Sequence, residues 1–427
     1  MVSCTILNDM KRTLLLVLSL FFLVLAGCAG PSPRSASLQP QTRPAPLLLI
    51  SIDAFRADYL QRGITPNLQH LADTGVRAKA MEPSFPSLTF PNHYTLVTGL
   101  YPDHHGIVNN NMIDPKLGRF SLGDRKAVAD PRWWNEAEPI WVTADKHGLK
   151  TATMFWPGSA TRIHGYRPDH WRPYNGKLTP TQRVDQVLEW LDLPAQKRPT
   201  FLTLYFDRVD HDGHEYGPDS KQVNAAMHRI DAAIGKLITG LKQRGLYRHM
   251  NIIVVSDHGM APSPASHTIL MDKLIDMHDV TVVSMGELAS LIPKPGRTTA
   301  VEAALLKPHP HMQCWKKQNI PARFHYGSNP RVPPIVCSPQ TGWTVSTSGW
   351  LATHTPSMGS HGYDNANPLM RALFIAHGPS FRDDGRVVPE FPNVDVYPLM
   401  THLLGLPAQP NDGDYDTMKV MLRPDAR

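Results

Sequence analysis

Residues 251–259 read NIIVVSDHG: an unbroken apolar run, Ile252 to Val255, followed at once by Ser-Asp-His-Gly. A run with no polar break has no face to offer water, so it reads as a strand buried on both sides. Four more stretches share this character: LLLISID (47–53), TATMFW (151–156), TFLTLYFD (200–207) and ALFIAH (372–377). Helical patterns separate them. TPNLQHLADTG (65–75) places Thr65 as N-cap, Pro66 at the first helical position and Gly75 at the stop. In 220–245, Val223, Met227, Ile230, Ile234 and Leu237 share one helical face, and Gly245 marks the end. Apolar strands alternating with amphipathic helices predict an α/β fold whose central, mostly parallel sheet carries helices on both faces.

The chain has 427 residues, and its start has a different character. MKRTLLLVLSLFFLVLAGC (10–28) has a basic opening, an apolar run and small residues before Cys28. The apolar run from Leu14 to Leu25 is shorter than the roughly 20 residues a membrane span needs. Residues 1–27 therefore read as a signal peptide, and Leu25-Ala26-Gly27-Cys28 resembles a bacterial lipobox with Cys28 as the lipidated residue. Ala29 resembles the outer-membrane sorting pattern. The expected location is the bacterial cell envelope, lipid-anchored at the outer membrane and facing the periplasm. Residues 28–46, rich in Pro, Ser and Ala, read as a flexible tether. Residues 47–427 are long enough for one large α/β domain.

Cys314 and Cys337 are the only cysteines after Cys28. In an exported chain they pair most simply as a disulfide, the other reading being two unrelated buried thiols. They lie in a proline-rich stretch, about 293–347, that reads as a small inserted subdomain. No Cys/His zinc-finger spacing occurs. The net charge is +6 with basic residues scattered, which argues against a specific nucleic-acid partner.

Ligands of open α/β sheets gather at the carboxyl ends of the strands. There the sequence places Asp53, then Asp257 and His258, then Asp210 and His214 in FDRVDHDGHEYGP (206–218), with His361 just before the last strand. Singly, each reads as a helix cap or a hydrogen-bonded structural residue. Together they are carboxylates and imidazoles at one edge, for which packing gives no reason. Mixed Asp and His ligands suit zinc, and two sets of three suggest two metals about 4 Å apart. SFPSLTFPNHY (84–94) adds Thr89 at the mouth of a helix. A hydroxyl there is either a cap or, beside a metal, a nucleophile. Residue type alone leaves both readings open.

Further stretches occur in a fixed order: ISIDAFRADYL (50–60), TPNLQHLADTGV (65–76), PSFPSLTFPNHYTLVTGLYPDHHGIVNNNM (83–112), EPIWVTADKHG (138–148), MFWPGS (154–159), TLYFDRVDHDGHEYGP (203–218), VVSDHGM (254–260) and GSHGYDN (359–365). On these motifs the chain, from Leu47 almost to its end, resembles the nucleotide pyrophosphatase/phosphodiesterase family of the alkaline phosphatase superfamily. The resemblance implies an alkaline-phosphatase-like α/β fold with a small inserted α+β subdomain. It implies one zinc held by Asp53, Asp257 and His258 with Thr89, and a second held by Asp210, His214 and His361. Thr89 would be the nucleophile, forming a phosphothreonine-type ester. Asn110 would donate to a non-bridging phosphate oxygen. Phe90 and Tyr174 would sandwich a nucleobase, with Tyr205 lining the same pocket. Asp207 and Asp212 are rival carboxylates; the spacing to His214 selects Asp210. The implied activity cleaves phosphodiester and phosphoanhydride bonds of nucleotides, releasing a nucleoside 5′-monophosphate. The alternatives are a lipid or choline head-group phosphodiesterase, a phosphomonoesterase, and a non-catalytic zinc-binding envelope lipoprotein.

Overall fold

Leu47–Ile52 (β1) is buried along its whole length because both of its faces are covered. Leu48 and Ile50 enter one apolar cluster and Leu47 and Leu49 the other, the alternation a strand imposes. The structure, a computed structural model, describes residues 43–424. Cys28, the signal peptide and most of the tether lie outside the described residues. The strands of the two largest sheets, besides β1, are β2 (Val76–Ala78), β3 (Thr151–Met154), β4 (His170–Arg172), β5 (Phe201–Phe206), β6 (Asn251–Val255), β7 (Val280–Ser284), β8 (Ala289–Pro293), β9 (Met312–Lys316), β10 (Ile335–Pro339), β11 (Phe374–His377) and β12 (Arg386–Val388). The central sheet has the order β12-β2-β11-β6-β1-β5-β3-β4. Its pairs are parallel except around β11, which runs antiparallel to both β6 and β2.

The helices that matter here are α1 (Pro66–Asp73), α2 (Thr89–Thr98), α3 (Pro180–Leu191), α4 (Arg208–Tyr216), α5 (Lys221–Gln243) and α6 (Val396–Leu403). α1, α3 and α5 cover one face of the sheet, with Val223, Met227, Ile230, Ile234 and Leu237 of α5 all buried. α2 and α6 cover the other.

The structure differs from the sequence expectation in instructive places. In the central sheet each apolar run forms a strand, but β2, β4 and β12 were not expected. They are three residues long and partly polar, so no apolar run announces them. Thr65 occupies the N-cap position of α1 without a side-chain capping bond. The backbone N–H groups of Asn67 and Leu68 instead donate to Asp231 of α5. α1 ends at Asp73, and Gly75 answers a different need: a Cβ there would lie 2.3 Å from the carbonyl oxygen of Ala376 on β11.

β7, β8, β10 and β9, in that order, form a separate antiparallel sheet. Cys314 on β9 and Cys337 on β10 pair in register and form a disulfide. The two-thiol reading is thereby excluded. The bridge lies in a small core with Leu291, Val301, Leu305 and Ile335.

Candidate active site

Asp53 immediately follows β1, Asp257 and His258 follow β6, and α4 follows β5, all at one edge of the central sheet. Within α4, Asp210 and His214 are four residues apart and so face the same way. His361 arrives from the other side. Because β11 is antiparallel, its amino end lies at the carboxyl end of β6, and Gly359–Ser360 pairs with Ala261–Pro262 just beyond His258. The Nε2 atom of His258 lies 2.9 Å from Asp257 Oδ2, 3.4 Å from Asp53 Oδ1 and 3.2 Å from Thr89 Oγ1. Asp210 Oδ1 lies 3.4 Å from Nε2 of both His214 and His361. The two sets adjoin: the His258 and His361 rings stack at 3.5 Å, and Asp53, Asp210 and His258 offer ligand atoms within 4.8 Å of one another.

Hydrogen bonding fixes which ring nitrogens face inward. Nδ1–H donates to a backbone carbonyl in each case: His258 to Gly259 at 2.9 Å, His361 to Ser87 at 2.9 Å, and His214 to Gly359 at 2.8 Å. Carbonyls only accept, so Nδ1 carries a proton, and in the neutral ring Nε2 keeps its lone pair. The Nε2 atoms of His214 and His361 then face each other at 3.1 Å. Two lone pairs that close repel unless a cation lies between them. Asp53 Oδ1, Asp210 Oδ1 and Asp257 Oδ2 are buried and make no hydrogen bond, an arrangement that is costly without a cation. Burial pushes the Asp53 carboxyl well above its usual range, and the charges of Asp257 and Asp210 add to the effect. Burial, with His258 and His214 nearby, holds the His361 imidazole well below its usual range. The donor set and its orphaned atoms fit divalent metal ions.

Thr89 is the first residue of α2; Leu88 is the N-cap and supplies no side-chain bond. Thr89 is therefore not the cap, and its hydroxyl is turned to His258. Asn110 Oδ1 accepts from the Phe90 backbone N–H at 2.9 Å, which fixes the amide and leaves Nδ2 as the donor. Phe90 is half-buried against Phe120 and Trp134. Tyr174 is 54 % exposed, packs on Phe155, and stands 6.4 Å from Tyr205 between ring centroids. Its hydroxyl donates to Asp207, which also pairs with Arg183 at 3.0 Å. Asp207 thus anchors Tyr174. Tyr205 was expected only to line a base pocket, but its hydroxyl donates to Asp53 Oδ2 at 2.5 Å and so orients a carboxylate of the cluster. Asp212, the other rival, pairs with Arg208 at 2.7 Å and Arg229 at 3.5 Å. The sequence reading overlooked His93, which is buried one turn after Thr89 and 3.3 Å from Asp257 Oδ2. Its only local signal was the four-residue spacing from Thr89.

Residues 47–364 match the family described as type I phosphodiesterase / nucleotide pyrophosphatase. The chain belongs to this family. It is 41 % identical over 385 residues to a pyrophosphatase/phosphodiesterase of Schizosaccharomyces pombe, covering 87 % of this chain and 79 % of that one. To the bis(5′-adenosyl)-triphosphatase ENPP4 of Bos taurus it is 39 % identical over 411 residues, covering 96 % of this chain and 87 % of the relative. Among solved structures, an inactive threonine-to-alanine variant of murine ENPP5 in complex with AMP superposes with a TM-score of 0.84 at 36 % identity, covering 88 % of this chain and all of that one. The protein is accordingly an enzyme, a nucleotide pyrophosphatase/phosphodiesterase with an alkaline-phosphatase-like fold. The family is one of metallo-phosphodiesterases, and the clustered Asp and His residues fit that chemistry.

Proposed function

We propose that this enzyme holds two zinc ions and cleaves nucleotide phosphodiester and phosphoanhydride bonds, releasing a nucleoside 5′-monophosphate by way of an ester on Thr89. The observation that carries the reading is the inward convergence of imidazole lone pairs and unbonded carboxylate oxygens beside the Thr89 hydroxyl. Asp53, Asp257 and His258, with Thr89, would hold one ion, and Asp210, His214 and His361 the other. When bound, such a pair lowers the pKa of a hydroxyl and offsets the charge that develops on phosphorus-bound oxygens.

The chain's own residues supply the rest. Thr89 Oγ1 attacks phosphorus, the bond to the leaving oxygen breaks, and water then cleaves the threonine ester to free the nucleotide. The dipole of α2 favours an anion in front of its amino end. Asn110 Nδ2 donates to a non-bridging oxygen. Asn110 is neutral, so it brings no cation of its own to a phosphomonoester's second negative charge. Phe90 and Tyr174 offer flat faces to a base, with Tyr174 held by Asp207 and Arg183. The inactive threonine variant of murine ENPP5 with AMP supports both the nucleophile and the nucleotide.

A product assay on ATP, dinucleoside polyphosphates, nucleotide sugars, a p-nitrophenyl thymidylate and one lysophospholipid tests the reading. Release of nucleoside monophosphates, with the lipid untouched, is expected; release of choline phosphate alone would overturn it in favour of a head-group phosphodiesterase. Tyr174→Ala should raise KM for a nucleotide ester roughly tenfold, within the 1–3 kcal/mol a stacked base contributes, while kcat on a non-aromatic diester stays level. The lipid anchor on Cys28 and the envelope location belong to the same proposal and rest on residues 1–46. Mass spectrometry of the mature N-terminus of the membrane-extracted protein tests them.

A further inference from the structure

His93 borders the same centre without belonging to the proposed ligand sets. It is fully buried on α2, and both ring nitrogens are engaged. Nδ1 lies 2.9 Å from the carbonyl oxygen of Thr89 and 3.3 Å from Asp257 Oδ2. Nε2 lies 2.8 Å from Ser51 Oγ on β1. Trp156 and Tyr205 meet the ring edge-on at 4.9 and 5.2 Å, and Trp156 Nε1 donates to the His93 carbonyl. The ring has one orientation available.

With Asp53 and Asp257, His93 offers atoms close enough together to hold a metal ion. Its bonding partners argue against that role. A carbonyl oxygen can only accept, so the contact with Thr89 places the hydrogen on Nδ1, and a nitrogen carrying hydrogen does not ligate. Nε2 is engaged by the Ser51 hydroxyl and turned away from the carboxylates.

We propose that His93 is a positioning residue: its Nδ1–H, donated to the Thr89 carbonyl, and its Nε2, which meets Ser51 Oγ at the end of β1, tie the first turn of the nucleophile's helix to the central sheet. This rests on the reading of Thr89 as nucleophile. The carbonyl and the hydroxyl belong to one residue, so holding the first orients the second. Oγ1 then stays 3.2 Å from His258 Nε2. An error of about 1 Å at a reacting atom lowers turnover on the order of 10²-fold.

Two substitutions of similar size separate orientation from bulk. His93→Asn presents an amide N–H near the place of Nδ1, whereas His93→Gln reaches toward that of Nε2. His93→Asn should keep most of kcat on the p-nitrophenyl thymidylate, while His93→Gln should lose about 10–100-fold. KM and the metal content by elemental analysis should match the wild type in both. Equal losses in the two variants would mean that only volume matters, and would overturn the inference. Metal lost in step with activity would mark His93 as a ligand and overturn it as well. Should neither variant fold, Ser51→Ala carries the test: about a tenfold fall in kcat at unchanged thermal midpoint is expected, and an unchanged kcat would overturn it. A wild-type rate in Thr89→Ala would instead bring down the nucleophile reading beneath it.

Discussion

Thr89→Ala is expected to reduce turnover of nucleotide esters by at least about 10³-fold, as loss of a covalent nucleophile does elsewhere, while leaving metal content and thermal stability close to wild type. Each part of that expectation has its own structural source. The activity loss follows from the only hydroxyl placed against His258 Nε2 among the described residues, at 3.2 Å. The retained metal follows from the remaining donors, since Asp53, Asp257 and His258 stay together without the threonine. The retained stability follows from the cap position. Removing a true N-cap hydroxyl costs about 1 kcal/mol, but Leu88 holds that place and Thr89 makes no capping bond. A lowered melting point with near-normal turnover would reverse the assignment and return Thr89 to a structural role. Thr89→Ser, which keeps the oxygen, should retain measurable activity and thereby show that the hydroxyl, not the methyl, is what the alanine variant lacks.

Some of this was legible in the sequence because it is local. Asp53, Asp257 and His258 follow apolar runs directly, so knowing that those runs are parallel strands is enough to bring their ends together. Asp210 and His214 share a helical face by spacing. His361 was placed at the same edge without the reason being visible: had β11 run parallel to β6, the residues before it would lie at the opposite edge. Nothing in ALFIAH encodes strand direction; pairing with β2 and β6 decides it. His93 escaped notice because, apart from the Thr89 carbonyl, the polar groups its ring meets come from the end of β1 and the end of β6, distant in sequence. Tyr205 showed itself as an aromatic but not as the donor to Asp53, since side-chain reach across two parallel strands depends on register. The short strands β2, β4 and β12 escaped for a different reason. Three residues at or near a sheet edge need no apolar run to pair.

Asp210→Asn and Asp212→Asn should have opposite consequences although only one residue separates them. On α4 a step of two residues turns the side chain by about 200°, so when Asp210 faces His214 and His361, Asp212 must face away. It does, toward Arg208 and Arg229. Asp210→Asn removes a charged oxygen that makes no hydrogen bond and lies 3.4 Å from two imidazole nitrogens. Metal content should fall by about one equivalent and turnover on the order of 10²-fold or more, with little change in folding. Asp212→Asn leaves the metal in place and turnover within about twofold, yet weakens a buried carboxylate's pairing with two arginines that are themselves about half exposed. Solvent screens the arginine side of those pairs, so the expected cost is about 1–2 kcal/mol of stability, read as a lower thermal midpoint. Metal analysis, kinetics and melting on the two variants separate the roles without reference to any relative. If Asp212→Asn lost metal while Asp210→Asn merely melted earlier, the register of α4 would be wrong, and with it the ligand set on which the second metal depends.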